Sequence, residues 1–514
     1  MKLNYSLQAV NCLLRVRNFM VNIDVGSTVY GGLLSVTRFR ESAVSDRSVL
    51  LEAESDRGRL LYCPAFRRLQ QKAQVFSLES NAAVRSRLTH SLEVSQMGRY
   101  ISDQVSLQLV KEGLATSSEC AALTTFVETA CLMHDIGNPP FGHFGEAAIA
   151  NWFRQHGVDA IKKSCAKSLE QLEELRVTKA LSDFLEFDGN PQGVRVVSKL
   201  QRNNDEFGLN LTFATIAAYL KYVRASGSDN DDTSVFTKKC GFFSTESELV
   251  EEVWKGLGYK KPQRYPLAYI MEAADDIAYC ISDLEDSIEK GLLEKDKALS
   301  DIFGRWKVAG PYNDDSEEQI DAILLDAIRG QRADGRPFSY TDFRTSLNRL
   351  LSKCAADEYM RRHSNILDGT CVSLISPTSS PGMILEILKT YCREKVYRHE
   401  SVQMVELAGY KAIYGLLDQF GCLLEASEER FVSALQYRSK DEDGMPIVVE
   451  NKLLSIFPKN YKAVYVEHKC KFSGHKDYKL IEWNLRAHLI TDFVSGMTDD
   501  FAIKTYQVLN GIRL

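Results

Sequence analysis

The chain has 514 residues, with 63 basic and 69 acidic side chains and a formal net charge of −6. Its length exceeds the usual size of a single hydrophobic core, so we expect more than one lobe. The negative charge argues against a protein that coats nucleic acid over its whole surface, although it is compatible with a local basic groove.

Residues 1–45 carry no clear hydrophobic period, and Asn11, Arg15 and Arg17 interrupt any signal-like apolar core. We interpret them as a non-secretory N-terminal extension whose composition is compatible with disorder. The twelve cysteines contain no CxxC pair, a pattern typical of reduced thiols in the cytoplasm. No apolar run approaches about 18 residues, so no membrane span is expected.

The rest of the chain predicts an all-α fold with few short strands. There are only 12 prolines, and segments such as EEQIDAILLDAIRG have apolar residues at helical spacing. The region 441–451 is the best candidate for a short strand or turn. We place a catalytic domain at residues 46–310 and a helical C-terminal lobe at residues 311–514.

The most informative segment is CLMHDIGNPPFGHFGEAAI, which begins at Cys131. Helical periodicity before it predicts that His134 and Asp135 lie in the last turn of a helix. Gly137 then suits a left-handed C-terminal cap, and the prolines that follow prevent continuation. An imidazole and a carboxylate at such a point can ligate one metal ion, but two ligands need partners from elsewhere.

A first partner is suggested by VRSRLTHSLEVSQMGRYI. Here Leu88, Leu92 and Ile101 fit a buried helical stripe, and His90 lies at its margin.

A second partner is suggested by PLAYIMEAADDIAYCISDLEDSIEK, in which Pro266 suits the first turn of a helix. Asp275, Tyr279 and Asp283 recur every four residues and therefore share one helical face. That face lies beside an apolar stripe of Ile270, Ala274, Ile277 and Ile281. Carboxylates so near a core are costly unless a cation or ligand meets them.

Each of these pieces has a common alternative explanation. A lone histidine is more often a structural residue than a ligand, and an acidic pair is usually a solvated face. The residues alone leave a metal site and a purely structural arrangement about equally plausible.

The longer motifs of the sequence are more specific than the metal-binding residue types alone. His90, His134–Asp135 and a later helical aspartate resemble the HD-domain phosphohydrolases. The surrounding segments resemble the bacterial dGTP triphosphohydrolases, densely over residues 54–290 and more thinly to LITDFVSGMTDDFA near the C-terminus. These segments are, in order, ESDRGRLLYCPAFRRLQQKAQVF, RLTHSLEV, HDIGNPPFGHFGEAA, FDGNPQG, GLNLT and EAADDIAYCISDLED.

The resemblance implies an HD-type helical catalytic domain that hydrolyses dGTP, or other dNTPs, to a deoxynucleoside and tripolyphosphate. It favours dGTP, although the base preference itself cannot be read from the sequence. It also implies a homo-oligomer, either a tetramer or a hexamer.

The resemblance assigns the metal to His90, His134, Asp135 and Asp275, with Asp275 preferred to Asp276 because it starts the 275–279–283 face. Family members use Mg²⁺ or Mn²⁺, and mixed nitrogen and oxygen ligands favour Mn²⁺.

Proton transfer to the departing 5′-oxygen is assigned to His143, with Glu146 orienting its imidazole. We expect Gly145 to open a helix whose Ile149, Trp152 and Phe153 face inward. The remaining roles carried over from the family are phosphate binding by Arg87, Asn190, Lys221, Tyr222 and Lys239, and sugar binding by Gln74, Tyr279 and Asp283.

Two other functions remain open. The first is another HD-domain enzyme, either a nucleotide monophosphatase or a phosphodiesterase. The second is a nucleic-acid-binding regulator with a vestigial site. Basic residues around Lys469–Lys479 also predict single-stranded DNA binding as an added property of an active enzyme.

Overall fold

A computed structural model describes residues 28–165, 174–202, 205–229, 235–310 and 314–512. Within these residues it contains twenty-two α-helices and one two-stranded sheet, which confirms the predicted all-α class. Of the expected N-terminal extension, residues 1–27 lie outside the described residues. The part that follows includes a short helix, Val29–Leu33, whose Tyr30 is fully buried.

The helices are numbered in chain order. Those of the first half are α1 Val29–Leu33, α2 Val49–Leu61, α3 Pro64–Arg68, α4 Arg87–Lys111, α5 Ser117–Met133, α6 Gly142–Cys165, α7 Glu174–Leu185, α8 Gly189–Arg195, α9 Phe213–Tyr219, α10 Ser247–Gly256 and α11 Pro266–Glu289. Those of the second half are α12 Lys295–Ala309, α13 Glu317–Arg329, α14 Tyr340–Arg361, α15 His363–Leu367, α16 Ser380–Lys395, α17 Glu400–Glu425, α18 Glu428–Leu435, α19 Val448–Ser455, α20 Lys459–Lys471, α21 Tyr478–Ser495 and α22 Asp499–Leu509.

Helix α4 lies at the centre of the first half and packs against both α5 and α11. It begins at a capping box between Ser86 and Thr89. The predicted apolar stripe is wrong at Leu92, which is 51% exposed, whereas His90 is fully buried. The buried face of α4 runs through Val94, Ile101 and Val105, and His90 lies on this face one turn before Val94, so apolar packing turns the histidine inward.

Helix α11 follows the sequence prediction closely. Pro266 is at its first turn, where the missing N–H costs no helical hydrogen bond. The predicted stripe of Ile270, Ala274, Ile277 and Ile281 is buried. Burial of an isoleucine side chain contributes about 1.5–3 kcal/mol, so this face fixes the rotation of α11 and thereby which of its residues face the site.

The second half of the chain packs directly onto the first. Helix α17 contacts α6, α21 contacts α6 and α7, and α22 lies against α17. One fully buried ion pair crosses this boundary, in which Arg195 donates to both carboxylate oxygens of Asp492. The domain division at residue 310 stays a prediction.

The sheet is short and parallel, and it pairs β1 (Arg224–Ala225) with β2 (Cys240–Phe242). It lies between α9 and α10, not in the region 441–451. There, a single bridge between Lys440 and Pro446 closes a turn before α19 begins. None of the described helices is both long and apolar enough to cross a membrane.

Candidate metal centre and substrate cavity

The His134–Asp135 pair directly follows α5. Helix α5 ends at Met133, and His134 is its C-cap in a right-handed conformation. The predicted left-handed cap at Gly137 is wrong. A Cβ at Gly137 would lie 2.1 Å from both the Gly189 carbonyl oxygen and the Gly193 nitrogen, so glycine is needed for close backbone approach.

Three of the predicted ligands come together from three helices or their ends. Nε2 of His90 lies 3.4 Å from Oδ1 of Asp275, which lies 3.5 Å from Nε2 of His134. All three donor atoms are within 4.8 Å of one another. Donors each about 2.1 Å from one ion lie roughly 3–4 Å apart, so the group fits a shared divalent cation.

The tautomer of His134 suits ligation. Its Nδ1 lies 2.7 Å from the carbonyl oxygen of Cys131 and donates to it, which leaves the Nε2 lone pair free for a metal. Although burial raises it, the neighbouring imidazole of His134 holds the pKa of Asp275 well below its usual range. A deprotonated carboxylate and a neutral imidazole are the forms that bind cations.

Asp135 lies slightly apart from this group. Its Oδ2 is 3.7 Å from Nε2 of His134 and accepts a hydrogen bond of 2.7 Å from Nη1 of Arg87, while its Oδ1 accepts from the Asn138 amide. Burial raises the pKa of Asp135, but the Arg87 charge outweighs it and keeps the pKa low. Its role as a fourth ligand stays a prediction.

A cavity of about 740 Å³ opens above the three ligands. It is lined by twelve of the predicted site residues, namely Gln74, Arg87, His134, Asp135, His143, Glu146, Asn190, Lys221, Tyr222, Lys239, Asp275 and Tyr279. His90 lies beneath it and is fully buried. Asp283 does not line the cavity.

His143 faces the cavity from the first turn of α6. This helix begins at Gly142, three residues earlier than expected from Gly145. Ile149, Trp152 and Phe153 are buried as predicted.

The imidazole of His143 is bound to one acid of the same helix. Its Nδ1 lies 2.7 Å from Oε2 of Glu146, whose Oε1 accepts from the Gly189 backbone N–H. The hydrogen bond to Glu146 raises the pKa of His143 above its usual 6.5. The imidazole is 86% exposed, so it can reach a bound molecule.

The loop before His143 is strained. Phe141 has φ +61° and Gly142 has φ +51°. The left-handed conformation costs about 1–2 kcal/mol for a residue such as phenylalanine, whereas it is free for glycine. A Cβ at Gly142 would also lie 2.7 Å from Nη2 of Arg87. Contacts from elsewhere must therefore stabilise this loop.

The predicted phosphate-binding residues form the cationic side of the cavity. Lys239 pairs with Asp188 at 2.6 Å, and Asn190 donates to the other oxygen of Asp188. Lys221 lies 3.7 Å from Glu272. Burial lowers the pKa of Lys239, but Asp188 outweighs it, so the amine remains protonated.

Two of the predicted sugar residues, Tyr279 and Asp283, lie on α11 and contact a residue that sequence reasoning missed. The hydroxyl of Tyr279 lies 2.7 Å from that of Tyr397, which donates to Oδ2 of Asp283. Asp283 is therefore behind Tyr397, and its other oxygen is buried with no hydrogen-bond partner in the described part of the chain. Burial raises the pKa of Asp283 to about 7.

Sequence analysis also did not predict the residues of the far wall of the cavity. It comes from the end of α16 and the start of α17 and contributes Lys389, Arg393, Tyr397, Arg398, Gln403, Glu406 and Leu407. Lys389 pairs with Asp276 at 3.0 Å. Arg393, Arg398 and Glu406 form no ion pair within the described residues. Their only sequence signal was a basic run, KTYCREKVYRHE, which is usual for a solvated helix end.

The similarity to known proteins extends over most of the chain, including the metal centre and the cavity. Residues 87–219 match the HD domain model, a span that includes His90, His134 and Asp135. The chain is 36% identical over 506 residues to the deoxyguanosinetriphosphate triphosphohydrolase of Salmonella paratyphi A, covering 93% of this chain and 97% of that protein. The proteins of the same name from Enterobacter sp. (36% over 504 residues) and Cronobacter sakazakii (35% over 501) are covered to the same extent.

Proposed function

We infer that the chain hydrolyses dGTP to deoxyguanosine and tripolyphosphate, because it belongs to the deoxyguanosinetriphosphate triphosphohydrolases of the HD-domain superfamily. The observation that supports this activity best is the convergence of His90, His134 and Asp275 beneath a cavity with a cationic side. The enzyme depends on a divalent metal ion, and we propose Mg²⁺ or Mn²⁺ at these three residues, with Asp135 as a fourth ligand.

A divalent ion held by His90, His134 and Asp275 would neutralise charge at the α-phosphoryl group and would lower the pKa of water. The water oxygen bonds to the α-phosphorus as the bond to the 5′-oxygen breaks. We propose that His143, protonated through its bond to Glu146, gives its proton to that oxygen, so that deoxyguanosine leaves as an alcohol.

The triphosphate is bound by the cationic side of the cavity. Lys221, Lys239 and Arg87 are charged donors whose carboxylate partners hold them in place, and Asn190 and Tyr222 line the same side. Donors fixed before the reaction stabilise developing charge without reorganisation.

We propose that Tyr279 and Gln74 contact the deoxyribose, since both line the cavity and Tyr279 lies one helical turn from Asp275. Asp283 acts through Tyr397, whose hydroxyl lies between it and Tyr279. A tyrosine ring packed at C2′ leaves no space for a 2′-hydroxyl, which would exclude ribonucleotides.

Guanine specificity has a candidate on the far wall. Glu406 lines the cavity and has no ion-pair partner among the described residues. Guanine offers the N1–H and the exocyclic amine as neighbouring donors, and a carboxylate can accept both. We propose that Glu406 reads this edge of the base.

The direct test is a panel of four dNTPs and GTP with Mn²⁺ or Mg²⁺, with products separated by chromatography. We expect deoxyguanosine and tripolyphosphate, and no dGMP or dGDP. In H₂¹⁸O the label should enter tripolyphosphate, because water attacks phosphorus. Release of orthophosphate or of a nucleotide would instead support the alternative HD phosphohydrolase.

Single-stranded DNA binding remains a second proposal, but a different surface supports it. Near Lys469–Lys479 the lysines Lys469 and Lys479 both pair with Glu428. A separate cavity of about 650 Å³ is lined by Arg59, Arg68, Arg202 and Lys459 together with Tyr62, which is 84% exposed. Exposed aromatic rings among cations bind single strands by stacking and charge. Filter binding that shows no salt-sensitive affinity would exclude it.

We also propose a cytoplasmic homo-oligomer, tetrameric or hexameric. The described cysteines are all free thiols, as in a reducing compartment. Met445, Val448 and Val449 are each more than half exposed and neighbour one another in sequence, which suits a subunit interface. Light scattering coupled to size-exclusion chromatography measures the state directly.

A further inference from the structure

We propose that Asp499, in the first turn of α22, is a positioning residue for catalysis. Its carboxylate fixes the two loops that present His143 and Gln74 to the substrate. The inference concerns the segment LITDFVSGMTDDFA, which contributes no lining residue to the cavity. It rests on the proposed role of His143 as proton donor.

The carboxylate joins two loops that are far apart in sequence. Oδ1 of Asp499 accepts the backbone N–H of Phe141 at 3.2 Å, and Oδ2 accepts that of Ala73 at 3.1 Å. Phe141 precedes His143 by two residues, and Ala73 directly precedes Gln74. Asp499 is 3% exposed, so water does not compete for either bond.

The loop that Asp499 binds is the strained one. Phe141 and Gly142 both have positive φ, and a phenylalanine keeps that conformation only when its surroundings impose it. The bond from Phe141 N–H to Asp499 is such a constraint, because a return to an ordinary φ would turn this N–H away from the carboxylate. The position of His143 therefore depends on a residue that touches neither substrate nor metal.

A second contact reinforces the first. Nζ of the buried Lys72 donates to the carbonyl oxygens of Asn138, at 2.5 Å, and Ser495, at 2.8 Å. The junction between α21 and α22 thus contacts the loop 138–141 at both ends. Burial raises the pKa of Asp499, while its two backbone N–H donors and the positive end of the α22 dipole oppose that rise.

The neighbouring Asp500 offers a matched control. It is in the same turn of α22, but its side chain is 61% exposed and pairs only with Lys504 within the described chain. Asp500→Asn removes the same charge from the same helix end without touching either loop.

Asp499→Asn keeps the volume and one acceptor but puts an NH₂ group against one of the two N–H donors. We expect kcat for dGTP to fall about 10- to 100-fold, as a displacement of about 1 Å does at other sites. Mn²⁺ affinity should match that of Asp500→Asn, because the metal ligands are untouched. Thermal unfolding of Asp499→Asn should occur at a lower temperature than that of Asp500→Asn, because a buried N–H loses its acceptor.

A substrate with a different leaving group distinguishes a displaced His143 from general damage to the active site. In a dGTP analogue with sulfur at the bridging 5′ position, the thiolate leaves without a proton donor. The deficit of Asp499→Asn should shrink to about threefold or less on this analogue, as should the deficit of His143→Ala. If Asp499→Asn does not fold, Asp499→Glu, which keeps the charge but displaces both oxygens, is compared on the same two substrates.

Equal kcat for Asp499→Asn and Asp500→Asn on dGTP would overturn the inference. So would an equal loss on both substrates. If the unsubstituted enzyme and Asp500→Asn release no deoxyguanosine, the proposed function fails instead, and the two failures are distinguishable.

Discussion

The two walls of the cavity are built differently. On the metal side, charged groups have defined partners, as Arg87 has in Asp135 and Lys239 has in Asp188. On the far wall, the exposed cations Arg393 and Arg398 and the acid Glu406 have no ion-pair partner among the described residues. We propose from this contrast that the metal side is preorganised for chemistry and that the unpaired charges of the far wall bind substrate.

The largest effect should come from the metal side. Asp275→Asn removes an anionic ligand, so we expect kcat to fall on the order of 10³-fold or more. Asp276→Asn changes the adjacent residue, which pairs with Lys389, and should cost less than about tenfold. Rates at saturating dGTP and Mn²⁺ compare the two. A reversed order would assign the ligand to Asp276.

The next effect tests proton donation. His143→Gln should lower kcat about 10²- to 10⁴-fold. His156→Gln, on the exposed part of the same helix, should have no effect.

The pH dependence of kcat tests the same proton donor, because the direction of the change follows from the protonation state of His143. A donor must be protonated, so kcat should fall as pH rises through the elevated pKa of His143. Glu146→Gln removes the cause of that elevation and should move the alkaline limb to lower pH. An unmoved limb would mean that another group donates the proton.

Sequence reasoning reached the metal side far better than the far wall. The predicted stripe of α4 includes the exposed Leu92 and puts His90 at its margin, whereas His90 lies on the buried face with Val94, because a count of apolar residues leaves a buried histidine out. The sequence predicts a left-handed cap at Gly137. Glycine is needed there instead because the backbone of Gly189 lies close to it, a contact that only the three-dimensional packing shows. Asp499 is 358 residues from Phe141, and Tyr397 is 118 residues from Tyr279, separations that no local pattern spans.

The far wall should affect selectivity more than rate. Glu406→Gln replaces one acceptor by a donor against the guanine edge. We expect the ratio of kcat/KM for dGTP to that for dATP to fall roughly 5- to 100-fold. Glu400→Gln, at the exposed start of the same helix, is the control. An unchanged ratio would remove Glu406 from base recognition and weaken the contrast between the walls.

The smallest effect should come from the free cations. Arg393→Ala or Arg398→Ala should raise KM for dGTP about three- to tenfold at low salt, with kcat nearly unchanged, because exposed charges act mainly on binding. The effect should diminish above about 0.3 M salt. Lys395→Ala, exposed on the same helix but away from the cavity, should change neither constant. A fall in kcat would place these arginines with the chemistry.

The bond from Phe141 to Asp499 spans 358 residues, and it sets an order of events during synthesis. A ribosome that adds 5–20 residues per second needs roughly 20–70 s to travel from one partner to the other. For that interval the nascent chain contains the histidines of its metal centre but lacks the carboxylate that sets the loop. Until Asp499 has been made, the proposed constraint on the loop before His143 is absent, so we expect a nascent chain to be no more active than Asp499→Asn.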